Sequence, residues 1–215
     1  MSINDETLDD LLTNETAISD YQFPLKFEFK IGTLSNDFIV KDNNDKTLVY
    51  VRQKMFKLKE AIQVFSDESK KRVLFTINAD RVIDFNASYG FKNEAEEFVG
   101  HIGRKGMRSL WNAHYEIFDN NKNQEFIINE ENPSAKFFDA LLGEVPVLGM
   151  FTGYMFNPKY LVKRADGSAV VRLKKDPSFF GRKFTLEKIG DIAQEENERI
   201  ILGLMMMSLL ERRRG

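Results

Sequence analysis

The chain has 215 residues, 42% of them hydrophobic and 12% aromatic, with 31 basic against 33 acidic side chains and no cysteine. Such a chain is long enough for one large domain or two small ones. The missing cysteine excludes disulfides, thiolate nucleophiles, sulfur-ligated metals and thioester lipidation, and it fits a reducing compartment. The expected location is cytoplasmic, at most peripheral to a membrane.

Residues 1–20 hold six acids (Asp5, Glu6, Asp9, Asp10, Glu15, Asp20) and no Lys or Arg, which leaves 27 acids against 31 bases in the remainder. The segment reads as an acidic, disordered tail, with a second reading in which Leu8, Leu11 and Leu12 form a short amphipathic helix that docks on the basic body. A secretory signal would carry a basic patch and a long apolar stretch where these acids stand, so export by that route is not expected.

From Tyr21 onward one pattern repeats: an apolar run, a turn rich in Asp, Asn or Gly, and another apolar run. FIVKDNNDKTLVYV (38–51), AIQVFSDESKKRVLFTI (61–77), HYEIFDNNKNQEFII (114–128) and YLVKRADGSAVVRL (160–173) each predict a β-hairpin by period-two alternation around a polar turn. PLKFEFKI, RVIDFNASYGF, EFVGHIG and RKFTLEKI add β-like runs, for roughly a dozen strands in a single domain over 21–215.

Two segments depart from this pattern. NPSAKFFDALLGEVP has Pro133 suited to a first helical position, Phe137, Leu141 and Leu142 at helical spacing, and Gly143 as a stop, which predicts one short surface helix. The second is the apolar stretch Ile200 to Leu210, within a helix expected over about 194–211. Eleven residues span about 16 Å, against about 30 Å for a bilayer core, so this stretch is too short to cross a membrane. A helix that is apolar all round belongs inside protein. A barrel of about twelve strands has room for one, whereas eight strands fill their own interior. The expected fold is therefore mainly β, a closed antiparallel barrel enclosing a hydrophobic C-terminal helix. Met150 and the run Met205 to Met207 suit such an irregular interior.

With those residues the chain resembles the LURP-one-related family of the Tubby and phospholipid-scramblase superfamily. The resemblance runs from about Phe29 to Leu210 and is carried by FIVKDNNDKTLVYVRQK, LKEAIQVFSDESKKRVLFTI, VGHIGRKG leading to SLWNAHYEIFD, YLVKRADGSAVVRL and the terminal helix. It implies a twelve-stranded barrel around a helix and no established enzyme activity. Tubby relatives bind phosphoinositides through basic surface residues and scramblases act on lipids. No phosphoinositide-binding lysine and arginine pair of the Tubby relatives carries over residue by residue, and no proline-rich or palmitoylation-type cysteine segment of the scramblase kind is read in the sequence.

The residues themselves supply little chemistry for catalysis. His101 and His114 are too few and too far apart for a metal set. Glu96–Glu97 and Glu130–Glu131 are read as strand neighbours whose side chains face opposite ways, not as shared acid–base pairs. GRKG at 103–106 lacks the spacing of a phosphate-binding loop, and Ser109 and Ser178 lack a nucleophile context. Trp111 is expected in the core, and Gly149 and Gly153 at close turns.

The basic clusters remain. Residues two apart on a strand share a face, so Arg52 and Lys54, and likewise Arg172 and Lys174, project together. Arg104, Lys105 and Arg108 form the third cluster, and Phe179 and Phe180 adjoin the cluster of Arg172 and Lys174. The expected function is non-enzymatic: a binding or scaffold protein that recognises anionic phospholipid or phosphoinositide headgroups through these seven residues, with no cofactor, nucleic acid or transmembrane span. The alternative is a cytosolic protein-interaction module with no lipid ligand. On the outer face of a barrel the same charges also serve simply to keep it soluble.

Overall fold

The computed structural model describes residues 21–30, 35–54, 61–80, 87–104, 114–131, 159–177 and 182–212. The acidic segment 1–20, the helix expected from Pro133 to Gly143, Met150, Trp111, Gly149, Gly153, Ser109, Ser178, Phe179 and Phe180 lie outside them.

Twelve strands follow in order: β1 (Leu25–Phe29), β2 (Ser35–Lys41), β3 (Thr47–Lys54), β4 (Ile62–Phe65), β5 (Val73–Asp80), β6 (Ala87–Asn93), β7 (Phe98–Arg104), β8 (His114–Phe118), β9 (Gln124–Glu130), β10 (Lys159–Arg164), β11 (Ala169–Lys175) and β12 (Arg182–Lys188). Each pairs antiparallel with the next, and β12 returns to β1 with Leu25 opposite Leu186, so the sheet closes into a barrel. Closure leaves no unpaired edge. Among the described residues one helix, α1 (Gln194–Arg212), comes after all of them.

Five connections repeat one device. In the β2–β3 turn the Asp45 amide donates to the Asp42 carbonyl, the Asp42 carboxylate accepts from the Asn44 and Lys46 amides, and Asp45 takes φ 63°. The β4–β5, β6–β7, β8–β9 and β10–β11 turns place Lys70, Glu96, Lys122 and Gly167 at positive φ in the same way, each amide donating three residues back. A register shift precedes each turn, as expected of a tight hairpin closed by a bulge. An Asp or Asn side chain stabilises four of the five from the first turn position, Asp42, Asp67, Asn93 and Asp119. The β6–β7 hairpin was not among the four expected, and it corrects the reading of Glu96–Glu97: both lie in that turn, not on a strand.

Because consecutive strands alternate direction, all five tight turns share one rim, here the turn rim. The opposite or far rim carries the other strand ends. Inward residues such as Phe27, Phe38, Phe91, Ile117, Phe126 and Leu186 join Ile200 to Met207 of α1 in one core cluster. Every side chain from Ile200 to Leu209 is at most 5% exposed, so the helix is sheathed on all sides. It runs closest to β7 and β8. A Cβ on Gly203 would sit 2.7 Å from Ile117 Cδ1 and 3.7 Å from Ile102 Cδ1, and glycine is what lets the helix backbone approach the wall.

At the turn rim polar contacts fix the start of α1. Glu196, three residues past Ala193, accepts the Ala193 amide at 2.8 Å, half of a capping box, and Glu195 and Glu196 complement the positive helix end. Arg164 reaches in from β10 to grip Glu196 through both terminal guanidinium nitrogens, and its Nη2 also donates to the Asp191 carbonyl at 3.0 Å. That pairing holds the Glu196 carboxyl below the usual carboxylate range. Arg199, only 9% exposed, forms a second fork with Glu125 at 2.6 and 2.7 Å. Opposite Arg199, Gly100 takes φ 150°, and a Cβ there would overlap the Phe118 carbonyl oxygen.

A second, smaller cluster lies on the outer face of β2 to β5, where Ile39, Tyr50 and Phe65 pack with Val73. The Tyr50 hydroxyl donates to Asp37 at 2.8 Å, and burial together with that carboxylate pushes its pKa up to about 12.

Candidate anion-binding rim

Three basic clusters that are remote in sequence sit on β3, β7 and β11, strands spaced four apart around the closed sheet and running the same way. All three end at the far rim. Arg52 and Lys54 are in the last three residues of β3, Arg104 closes β7, Lys174 is next to last in β11 and Arg172 is two residues earlier. The helix ends there too. Gly100 of β7 lies against Arg199, and Ile102 against Gly203, so helix and strand advance together toward that rim, where α1 finishes at Arg212. Four strand spacings separate one cluster from the next, about 19 Å along the wall, so the barrel sets them around one rim without joining them into a single pocket.

Their surroundings differ. Arg52 is exposed, with Asp37 as its cross-strand Cα partner. Arg172 pairs with Glu131 at 2.9 Å and lies 4.0 Å from Glu187, while Lys174 holds Glu187 at 2.5 Å. These partly exposed pairs contribute at most about 1 kcal/mol each, and they offset charge that a ligand would otherwise meet. Lys105 and Arg108 lie outside the described residues.

Arg104 faces inward. Its Cα partners are Ala87 and Tyr115, and Tyr115 and Ile117 belong to the core cluster. It is 8% exposed, its guanidinium carbon lies 5.7 Å from the centre of the Tyr115 ring, and its Nε is buried without a hydrogen-bond partner. Sequence reasoning took it for a surface base together with Lys105 and Arg108. The signal that it differs is its phase, two residues from the inward Ile102.

The histidines are apart in role. His101, 5% exposed on the outer face of β7, stacks on Phe118 with ring centres 4.4 Å apart, and desolvation lowers its pKa. His114 on β8 places Nδ1 2.9 Å from Asn129 Oδ1 and Nε2 3.1 Å from Glu116 Oε1. Among the described residues no three His, Asp or Glu side chains are arranged to hold a metal ion, and no helix is long and apolar enough to cross a membrane. Comparison with models of protein families, with curated proteins and with solved structures finds no match to this chain.

Proposed function

We propose that the protein is a non-enzymatic binding protein that recognises anionic phospholipid headgroups at a membrane surface through the far rim of its barrel. The carrying observation is topological: β3, β7, β11 and α1 all bring basic residues to that rim. Basic residues gathered at one rim favour one orientation toward a negative surface. The resemblance to LURP-one-related proteins supports the same reading. The barrel interior is filled by α1, which favours recognition at the rim over enclosure of a whole ligand.

Flotation with phosphatidylglycerol and with phosphatidylcholine vesicles, at low and physiological salt, tests it. Binding is expected only to the anionic vesicles and to weaken with salt. At about 1 kcal/mol per basic residue near an anionic surface, Arg52→Glu with Lys54→Glu lowers partitioning at least tenfold. Absence of flotation at low salt removes the lipid reading and leaves the protein-interaction module, to be sought by pull-down with and without residues 1–20.

A further inference from the structure

Arg104 is out of place for a rim that works by surface charge alone. A guanidinium carries five N–H donors and is always charged. Burial of such a group is normally matched by a carboxylate or by directed hydrogen bonds. Here the residue is 8% exposed and its Nε is buried with no acceptor. What it does have is the face of Tyr115. An aromatic ring near the guanidinium supports the charge without supplying an acceptor for Nε–H.

Two features of the fold bear on what the guanidinium N–H edge faces. From the contact of Ile102 with Gly203, two further strand residues rise about 6.6 Å, which matches about four helical residues. Arg104 therefore stands level with Met207, one to two turns short of the helix end at Arg212. The last carbonyls of α1 carry about half a negative charge between them, enough to ease burial of a cation but not to neutralise it. The second feature is Glu130, inward by its pairing with Tyr160 and 6% exposed. It lies on β9, two strands from β7 and two residues beyond Ile128, which is in register with Arg104 through Tyr115, so the two Cα atoms are about 12 Å apart. The negative helix end would oppose the extra charge of a multiply charged ligand, and Glu130 stands inward at the same rim.

We infer that Arg104 is an oxyanion-binding residue inside the barrel mouth, taking one singly charged group, a phosphodiester, in bidentate contact with its N–H edge above the Tyr115 ring. It deepens the reading above and rests on it for the side from which the ligand enters. The phosphodiester belongs either to a lipid headgroup or to a small soluble molecule, and polyphosphorylated headgroups are disfavoured.

The probe is dimethyl phosphate, followed by the Arg104 Nε–H resonance in the full chain and by calorimetry at constant ionic strength. A saturable downfield shift of that proton is expected, with binding weakened about tenfold in Arg104→Lys, which keeps the charge but loses the fork, and abolished in Arg104→Met. Inositol trisphosphate should compete no better than dimethyl phosphate. An unmoved Arg104 resonance at saturating probe overturns the inference, as does unchanged affinity in Arg104→Lys; the latter comparison serves even if Arg104→Met fails to fold. Vesicle flotation separates the two readings. Flotation with no dimethyl phosphate contact at Arg104 refutes the internal site and keeps the rim. Contact at Arg104 without flotation keeps the internal site, with a soluble ligand, and refutes the membrane reading. Contact at Arg104 that persists in Arg52→Glu with Lys54→Glu, while flotation falls, supports both.

Discussion

Leu202→Lys tests whether α1 is the core of the barrel. Leu202 is 0% exposed and lies eight residues past the first residue of α1 and ten before its last, about 12 and 15 Å along the axis. A lysine stem reaches roughly 6 Å by standard bond lengths, so the ammonium cannot escape at either rim. Losing the buried leucine costs about 1.5–3 kcal/mol. Keeping lysine in an apolar interior shifts its pKa by about 3–5 units, or about 4–7 kcal/mol near neutral pH. The total is comparable with the whole stability of a typical domain, about 5–15 kcal/mol. Circular dichroism with urea titration should show Leu202→Lys unfolded or molten, and Leu202→Met within about 1.5 kcal/mol of the parent. A Leu202→Lys chain that is monodisperse and unfolds cooperatively near the parental midpoint would refute the placement of the helix inside the barrel.

Glu125→Ala strands the buried Arg199 guanidinium and should cost about 3–5 kcal/mol by urea titration, while adding Arg199→Met recovers most of it; equal losses from the single and double variants would mean that the fork contributes nothing specific. His101 has a folded-state pKa below its ordinary value, because burial disfavours the imidazolium. Its contribution is therefore full above about pH 6.5 and is lost as pH falls through the depressed folded pKa. His101→Phe keeps the stack on Phe118 and should flatten stability between pH 7 and pH 5, and an unaltered pH slope would count against it.

The barrel was legible because its physics is local. Alternation marks strands, and Asp42, Asp67 and Asp119 open turns that their own carboxylates stabilise. The β6–β7 hairpin went unread although Asn93 plays the same part, since the glycine and charged residues around it blur the alternation. The central helix was legible from length and uniform apolarity, which leave only an enclosed site. The state of the basic residues was not legible. Arg172 meets its Glu131 partner from 41 residues away, a pairing set by closure of the sheet and by no motif. Arg104 was half legible: its phase with Ile102 was in the sequence, but which phase faced inward depended on β8.

The order of elements along the chain also has a kinetic side. All twelve strands are synthesised before α1, the element that fills the space they enclose, and the closing pair β1–β12 joins opposite ends of the sheet's sequence. During translation the nascent strands thus emerge with their apolar faces lacking a filler, and the long-range closure is entropically slow. Such a chain is open to strand-to-strand aggregation until α1 has left the ribosome. Its yield in a cell should therefore depend on how quickly the final helix is delivered, so that slowing translation just before codon 194 would lower soluble protein without altering a single contact of the finished barrel.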